Sequence, residues 1–272
     1  MTTDAELVDQ LDQVWRSIAE LGDSLTEDEW KRATDVPGWS VQDNLTHISG
    51  MEAGLLGRDV ESHEVGDDLP HVKNDVGRRN EEVVDARRNL AGAEALAEFR
   101  EISAERIGQL RGYDADDFGA ESWTPVGPGT VRDLLPFRIF DSWVHEQDMR
   151  RAVDKPGNFD TPAAAASLER IVAPMGYVVG KKAAAPEGAT VVFAVDGPLA
   201  RTFAIGVDDG RAKPLADAPS DPTVRLSMDT ETFVRLGCGR IEPDAAIADG
   251  AVRIDGDTAL GRGVVESMNF LF

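Results

Sequence analysis

The 272-residue chain carries 50 Asp and Glu against 28 Lys and Arg, a formal net charge of -22, with 42% hydrophobic and 29% charged residues. That field repels phosphate backbones and anionic lipid, and no basic stripe reverses it, so nucleic-acid and membrane partners are not expected. The single cysteine, Cys238, excludes an internal disulfide and a cysteine-rich zinc site, and reads as a small buried apolar residue.

No apolar run reaches the roughly 18 to 20 residues of a membrane span, and the opening MTTDAELVDQLDQVW lacks the basic flank and apolar stretch of a signal peptide. A cytoplasmic protein is therefore expected. In chain order, Leu7, Leu11, Val14, Trp15, Ile18 and Leu21 recur at helical spacing behind Thr3, which pairs with Glu6 as a capping box. Thr26 and Glu29 repeat that pattern and predict a short helical turn before Trp30. In DVPGWSVQDNLTHISGMEAGLL a Pro-Gly turn precedes Ser40, an N-cap with Asp43 in the first turn. The next helix carries Val41, Leu45, Ile48, Met51 and Leu55, and His47 lies inside it.

Residues 57 to 76 are polar, acidic and aperiodic, as in a loop. A third helical region is predicted from Asn80 to Leu110, broken or kinked near NLAGAEAL, and YDADDFGAESWTPVGPGT is expected as a loop. Thr130 with Asp133 starts the next helix, whose first turn Pro136 is expected to mark. Four helices joined by loops make a bundle.

After VDKPGNFDTP the character changes, and two domains are expected, 1–156 and 157–272. A helix over Ala163 to Lys182 leads into ATVVFAV, RTFAIGV and PTVRLSM, short β-branched runs separated by turn residues, with a turn at VDDG. DTETFVRLGCGR reads as a helix, GAVRIDGD as a strand and TALGRGVVESMNFLF as a last helix. The second half is thus α+β, and the chain shows no internal repeat.

Chemistry concentrates in FDSWVHEQDMRRA, residues 140–152, where Asp141 and His145 stand four apart beside the apolar Phe140, Trp143, Val144 and Met149. On a helix positions i and i+4 face the same way, so the two converge, and His47 from a neighbouring helix supplies a third donor. Two imidazoles and a carboxylate suit zinc or another divalent ion and leave room for a further ligand. The competing reading is a satisfied core hydrogen bond. His63 and His71 fall in the polar loop and read as solvated rather than ligating. Glu146, on another side of the helix, is the poorer alternative ligand. Asp148 either supports His145 or pairs with Arg151.

VPGWSVQDNLTHISGMEAGLLGRD and RIFDSWVHEQDMRRAVDKPG resemble the two signature stretches of the mycothiol-dependent maleylpyruvate isomerase family, a branch of the DinB-like metal-binding helical bundles. The resemblance implies a DinB-like four-helix bundle followed by a smaller, sterol-carrier-protein-like α+β domain. It also implies that His47, Asp141 and His145 make a divalent-metal site, zinc by family habit, that activates the thiol cofactor mycothiol. Relatives carry glutamate where this chain has Asp141, one methylene longer. LGCGR matches the surroundings of the arginine that approaches the metal in the isomerases, which nominates Arg240 as catalytic; a helix-end cation is the alternative.

The activity implied by that resemblance is an isomerase or S-transferase acting on a small electrophile. The thiolate adds to a conjugated double bond, lets it rotate and leaves again, or stays attached to the electrophile. The rival is a non-catalytic binding module, with an apolar ligand in the second domain and a metal that is structural or absent.

Overall fold

The structure, a computed structural model, describes residues 2–66 and 68–269. The chain divides into two compact units, Met1–Asn158 and Phe159–Phe272. In the first, helices α1 (Asp4–Asp23), α2 (Glu27–Trp30) and α3 (Val41–Leu55) each begin at the predicted cap. Thr3, Thr26 and Ser40 accept the backbone N–H three residues on, and the carboxylates of Glu6, Glu29 and Asp43 reach back to the cap.

The predicted third region is two helices, α4 (Asp75–Asp85) and α5 (Gly92–Arg111). The chain re-enters the bundle against Trp30 at Gly92, where a Cβ would lie 2.0 Å from Trp30 Cδ1, so only glycine permits the approach. Arg87 stitches the break by donating to both oxygens of Glu98 and to the carbonyls of Val83 and Glu61.

The segment expected as a loop before residue 130 instead holds a short helix, α6 (Ala115–Gly119), and a hairpin of β1 (Glu121–Thr124) and β2 (Gly127–Thr130). Its strands are specified by backbone pairing, Glu121 opposite Thr130, and not by side-chain alternation, which Gly and Pro cannot display. Helix α7 (Val131–Val153) starts at the Thr130 capping box and not at Pro136. Pro136 lies inside it and withholds one N–H from the helical ladder, yet the helix runs on for four more turns. Helices α1, α3, α5 and α7 pack as the bundle, with Trp15 Nε1 donating to Ser142 Oγ at 3.0 Å across α1 and α7.

In the second unit α8 (Pro162–Val172) is followed by a turn, α9 (Met175–Tyr177), that continues into a π-helical turn at Val178–Lys182. The single helix expected to Lys182 stops at Val172 because Pro174 cannot donate to it. A mixed five-stranded sheet comes next: β3 (Thr190–Asp196), β4 (Arg201–Asp208), β5 (Arg211–Pro214), β6 (Val224–Asp229) and β7 (Arg253–Gly256), ordered β5-β4-β3-β6-β7. The pair β3–β6 is parallel and the others antiparallel. The predicted VDDG turn joins β4 to β5 with Asp209 and Gly210 both at positive φ.

Helices α10 (Thr230–Gly237) and α12 (Thr258–Glu266) pack on this sheet, and α11 (Pro243–Ala248) lies between them in sequence. Strand β5 and helix α11 were not expected: RAKP shows no alternation, and α11 spans only six residues. The last helix ends at Glu266 rather than reaching Phe272, of which residues 270–272 lie outside the described part. The fold is α+β, a helical bundle followed by a unit built on a mixed five-stranded sheet. Among the described residues no helix is long and apolar enough to cross a membrane.

Candidate metal centre

Helix α3 presents His47 and helix α7 presents Asp141 and His145, one turn apart, to a common point. One donor atom from each lies within 4.8 Å of the other two. His47 Nε2 stands 3.5 Å from Asp141 Oδ2, and His145 Nε2 stands 3.7 Å from Asp141 Oδ1. Those separations approach the roughly 3.3 Å between ligand atoms of a tetrahedral ion with bonds of about 2.0 to 2.1 Å. Both imidazoles are buried, while the Asp141 side chain keeps 21% of its surface open, so the approach to the site lies on its side.

His145 is set for ligation by its other nitrogen. Nδ1 lies 2.6 Å from Asn44 Oδ1, and Asn44 Nδ2 donates to Thr34 Oγ1 and to the Ser40 carbonyl. With its amide hydrogens committed there, Asn44 offers an acceptor, so the proton sits on Nδ1 and the Nε2 lone pair faces Asp141. Asp148 Oδ2 adds a second carboxylate 3.5 Å from Nδ1, while Oδ1 takes a hydrogen bond from Arg151, which also reaches Asp35. Asp148 therefore pairs with Arg151, and does so buried rather than at the surface, while its other oxygen lies near His145 Nδ1.

Asp141 is held by Arg138, one turn earlier, whose Nη1 donates to Oδ2 at 2.9 Å and whose Nε donates to the buried Glu52 at 2.7 Å. Burial pushes the Asp141 carboxyl up, but the Arg138 guanidinium opposes it, and the group is held well below the usual carboxylate range. Burial lowers His47 in spite of the Asp141 charge, which favours its uncharged form. An ionised Asp141 carboxylate and a His47 shifted toward its uncharged form are the directions that favour a divalent ion.

The indole of Trp39 closes one wall, with ring centroids 5.1 Å from His47 and 5.7 Å from His145. Glu146 is remote from this point: it is buried among Ser17, Arg150 and Asn158, each of which donates to it. His63 is half exposed beside Asp85 and Glu61. His71 is not solvated as expected; it packs against Gly38 with Nε2 3.1 Å from Glu81 Oε2. Arg240 belongs to the second unit, just past α10, where its Nη1 donates to the Cys238 carbonyl at 2.8 Å.

Sequence reasoning missed Asn44, Glu52, Arg138, Trp39 and Glu81. Two carried a usable signal, since Asn44 precedes His47 and Arg138 precedes Asp141 by three residues, one helical turn. Glu52 and Glu81 carried none, because their partners come from distant segments.

A four-helix bundle with two histidines and an aspartate converging from α3 and α7, followed by an α+β unit, defines a two-unit protein with a candidate metal centre in its helical unit. The chain belongs to the mycothiol maleylpyruvate isomerase family: the family's N-terminal domain matches residues 11–150 and its C-terminal domain residues 165–263. Among solved structures it is similar to a mycothiol-dependent maleylpyruvate isomerase, at 18% identity over 88% of this chain and 90% of that one, with a TM-score of 0.54. A histidine-to-alanine variant of such an isomerase matches at 16% identity over 93% of each chain, with a TM-score of 0.53. Sterol carrier protein 2 like 2 of Aedes aegypti matches at 14% identity over 36% of this chain and 94% of that one, with a TM-score of 0.29. No protein with a curated description matches.

Proposed function

We propose that this protein is a divalent-metal-dependent, mycothiol-using isomerase or S-transferase acting on a small electrophile. His47, Asp141 and His145 are the ligands in this reading, and zinc is the ion that suits the set. The observation that carries it is the convergence of these donors inside the family-matched bundle, with Asn44 meeting the His145 nitrogen that faces away. An ion held there supplies Lewis acidity, which favours thiolate over thiol for a cofactor whose free pKa is about 8.5.

The chain's own residues do the rest. Asn44 and Asp148 keep the His145 tautomer, Arg138 keeps Asp141 ionised, and Trp39 shields the imidazole faces from water. No protein thiol is needed, and Cys238 is buried. A small ligand enters beside Asp141, the most open of the three donors. Arg240, matched by family resemblance, is the proposed catalytic cation for the electrophile. The shorter Asp141 serves in place of the glutamate of relatives because Arg138 grips its carboxylate from the preceding turn.

Titration calorimetry of mycothiol into the zinc-loaded protein, with His145→Ala as control, tests the reading. Binding to the wild type and none to the variant is expected. Heat in neither sample removes the thiol from the account, and equal heat in both removes the metal from its binding.

A further inference from the structure

Glu81 donates nothing to the candidate metal set, yet it is 1% exposed and three segments converge on it. Its Oε2 accepts from Trp39 Nε1 at 2.8 Å and has His71 Nε2 at 3.1 Å. Its Oε1 lies 2.7 Å from Arg88 Nη2, just beyond α4. The His71 ring, from the long connection between α3 and α4, fills the space a side chain at Gly38 would occupy. A Cβ there would come within 2.7 Å of the ring, and Gly38 sits at φ +80°. Trp39 is thus wedged between Glu81, which holds its N–H, and the imidazoles of His47 and His145.

The two histidines differ in what orients them. His145 has Asn44 and Asp148 on Nδ1. His47 meets Asp141 through Nε2, the atom offered to the ion, and among the described residues no hydrogen-bond partner meets its Nδ1. Its ring orientation therefore rests on packing, and the aromatic group it packs against besides His145 is Trp39. An outer partner that fixes a ligand ring is usual in metal sites; here it is an indole in contact and not a hydrogen bond.

We infer that Glu81 is a positioning residue of the metal centre, holding the Trp39 indole so that the His47 ring faces the other two donors. This rests on the metal reading above. The carboxylate acts through Trp39 and touches neither ion nor substrate. Because it also meets His71, the connection from α3 to α4 and the donor set are fastened to one group.

The test uses the full chain and zinc itself, with affinity measured by chelator competition for wild type, Glu81→Ala, Glu81→Gln, Trp39→Phe and the Glu81→Ala/Trp39→Phe pair. Glu81→Ala is expected to weaken zinc about tenfold, the lower end for loss of an outer partner. Glu81→Gln, which keeps an acceptor for the indole, recovers most of that loss. Trp39→Phe, which keeps a ring and loses the N–H, matches Glu81→Ala, and the double variant is no worse than either. Arg88 retains Asp85 and Asp43, so losing Glu81 leaves no unpaired cation. If Glu81→Ala does not fold, Glu81→Gln and Trp39→Phe decide, and multiplying losses overturn the inference. So does affinity within twofold of wild type in Glu81→Ala. The Trp39 indole N–H resonance of the metal-free protein gives a reading independent of zinc. It moves in Glu81→Ala and stays near its place in Glu81→Gln; no movement in Glu81→Ala overturns the anchor. A wild type that binds no zinc defeats the metal reading, while the resonance still judges the anchor.

Discussion

The two units of this chain fill their interiors differently. Among the described residues every buried charged or histidine side chain belongs to the helical unit: Asp43, His47, Glu52, Glu81, Arg87, Arg106, Arg138, His145, Glu146 and Asp148. The sheet unit buries Val191, Val192, Phe193, Leu226 and Phe233, with Phe193 and Phe203 stacked at 4.7 Å, and its buried polar side chains are Ser167, Thr230 and Thr232. Burying charge is costly and is repaid only where partners and geometry are complete. The buried charges of the bundle are therefore held in paired networks, and part of them surrounds the candidate metal set, whereas the sheet interior is packed with apolar side chains.

The largest effect that sharpens this contrast comes from Glu52. Its carboxylate lies between Arg138 at 2.7 Å and Arg106 at 3.4 Å, all three buried. Glu52→Ala strands cationic charge and is expected to cost about 3 to 5 kcal/mol in denaturant unfolding, and to loosen Asp141 through Arg138. In the sheet unit, Leu226→Ala empties a fully buried site and is expected to cost about 2 to 5 kcal/mol with zinc affinity unchanged. A fall in zinc affinity for Leu226→Ala breaks the comparison.

Asn44→Ala is expected to cost little stability and to weaken zinc by about 10-fold, because it removes the nearer of the two acceptors at His145 Nδ1. Unchanged affinity in a chelator competition contradicts that assignment. The smallest effect lies far from the site, at Glu29. The backbone N–H of Thr26, with help from Lys155, lowers its carboxyl from 4.5 to about 2. A depressed carboxyl stabilises the fold above the unfolded pKa and loses that contribution as pH falls through the folded one. Glu29→Gln is therefore expected to lower the melting temperature slightly at pH 6, with the difference closing between pH 4.5 and pH 2. A difference that persists at pH 2 rejects the cap as its source.

This contrast also explains what was legible. Elements announced by local chemistry were readable: the capping boxes at Thr3, Thr26 and Ser40, the β-branched strands and the VDDG turn all stand where their residues put them. The hairpin at 121–130 was misread because backbone pairing decided it over local Gly and Pro content, the break after Val172 because Pro174 was passed over, and Pro136 because α7 starts at the Thr130 capping box, as Thr130 and Asp133 themselves indicate. At the site, Asp141 and His145 were visible as a helical pair and His47 as a histidine on a neighbouring bundle helix, a set the family resemblance then matched. Glu52, Trp39 and Glu81 were invisible because their meaning comes from side chains brought in by other segments, such as Arg106 and His71.

The central proposal is that the donors on α3 and α7 hold an ion with a place left for a sulfur donor. A crystal structure of the zinc-loaded protein tests it most directly. One ion bonded to His47 Nε2, Asp141 and His145 Nε2, with a remaining position facing solvent, is the predicted result. An ion closed by a fourth protein ligand, or zinc bound elsewhere while the three side chains stay bonded to one another, contradicts the account.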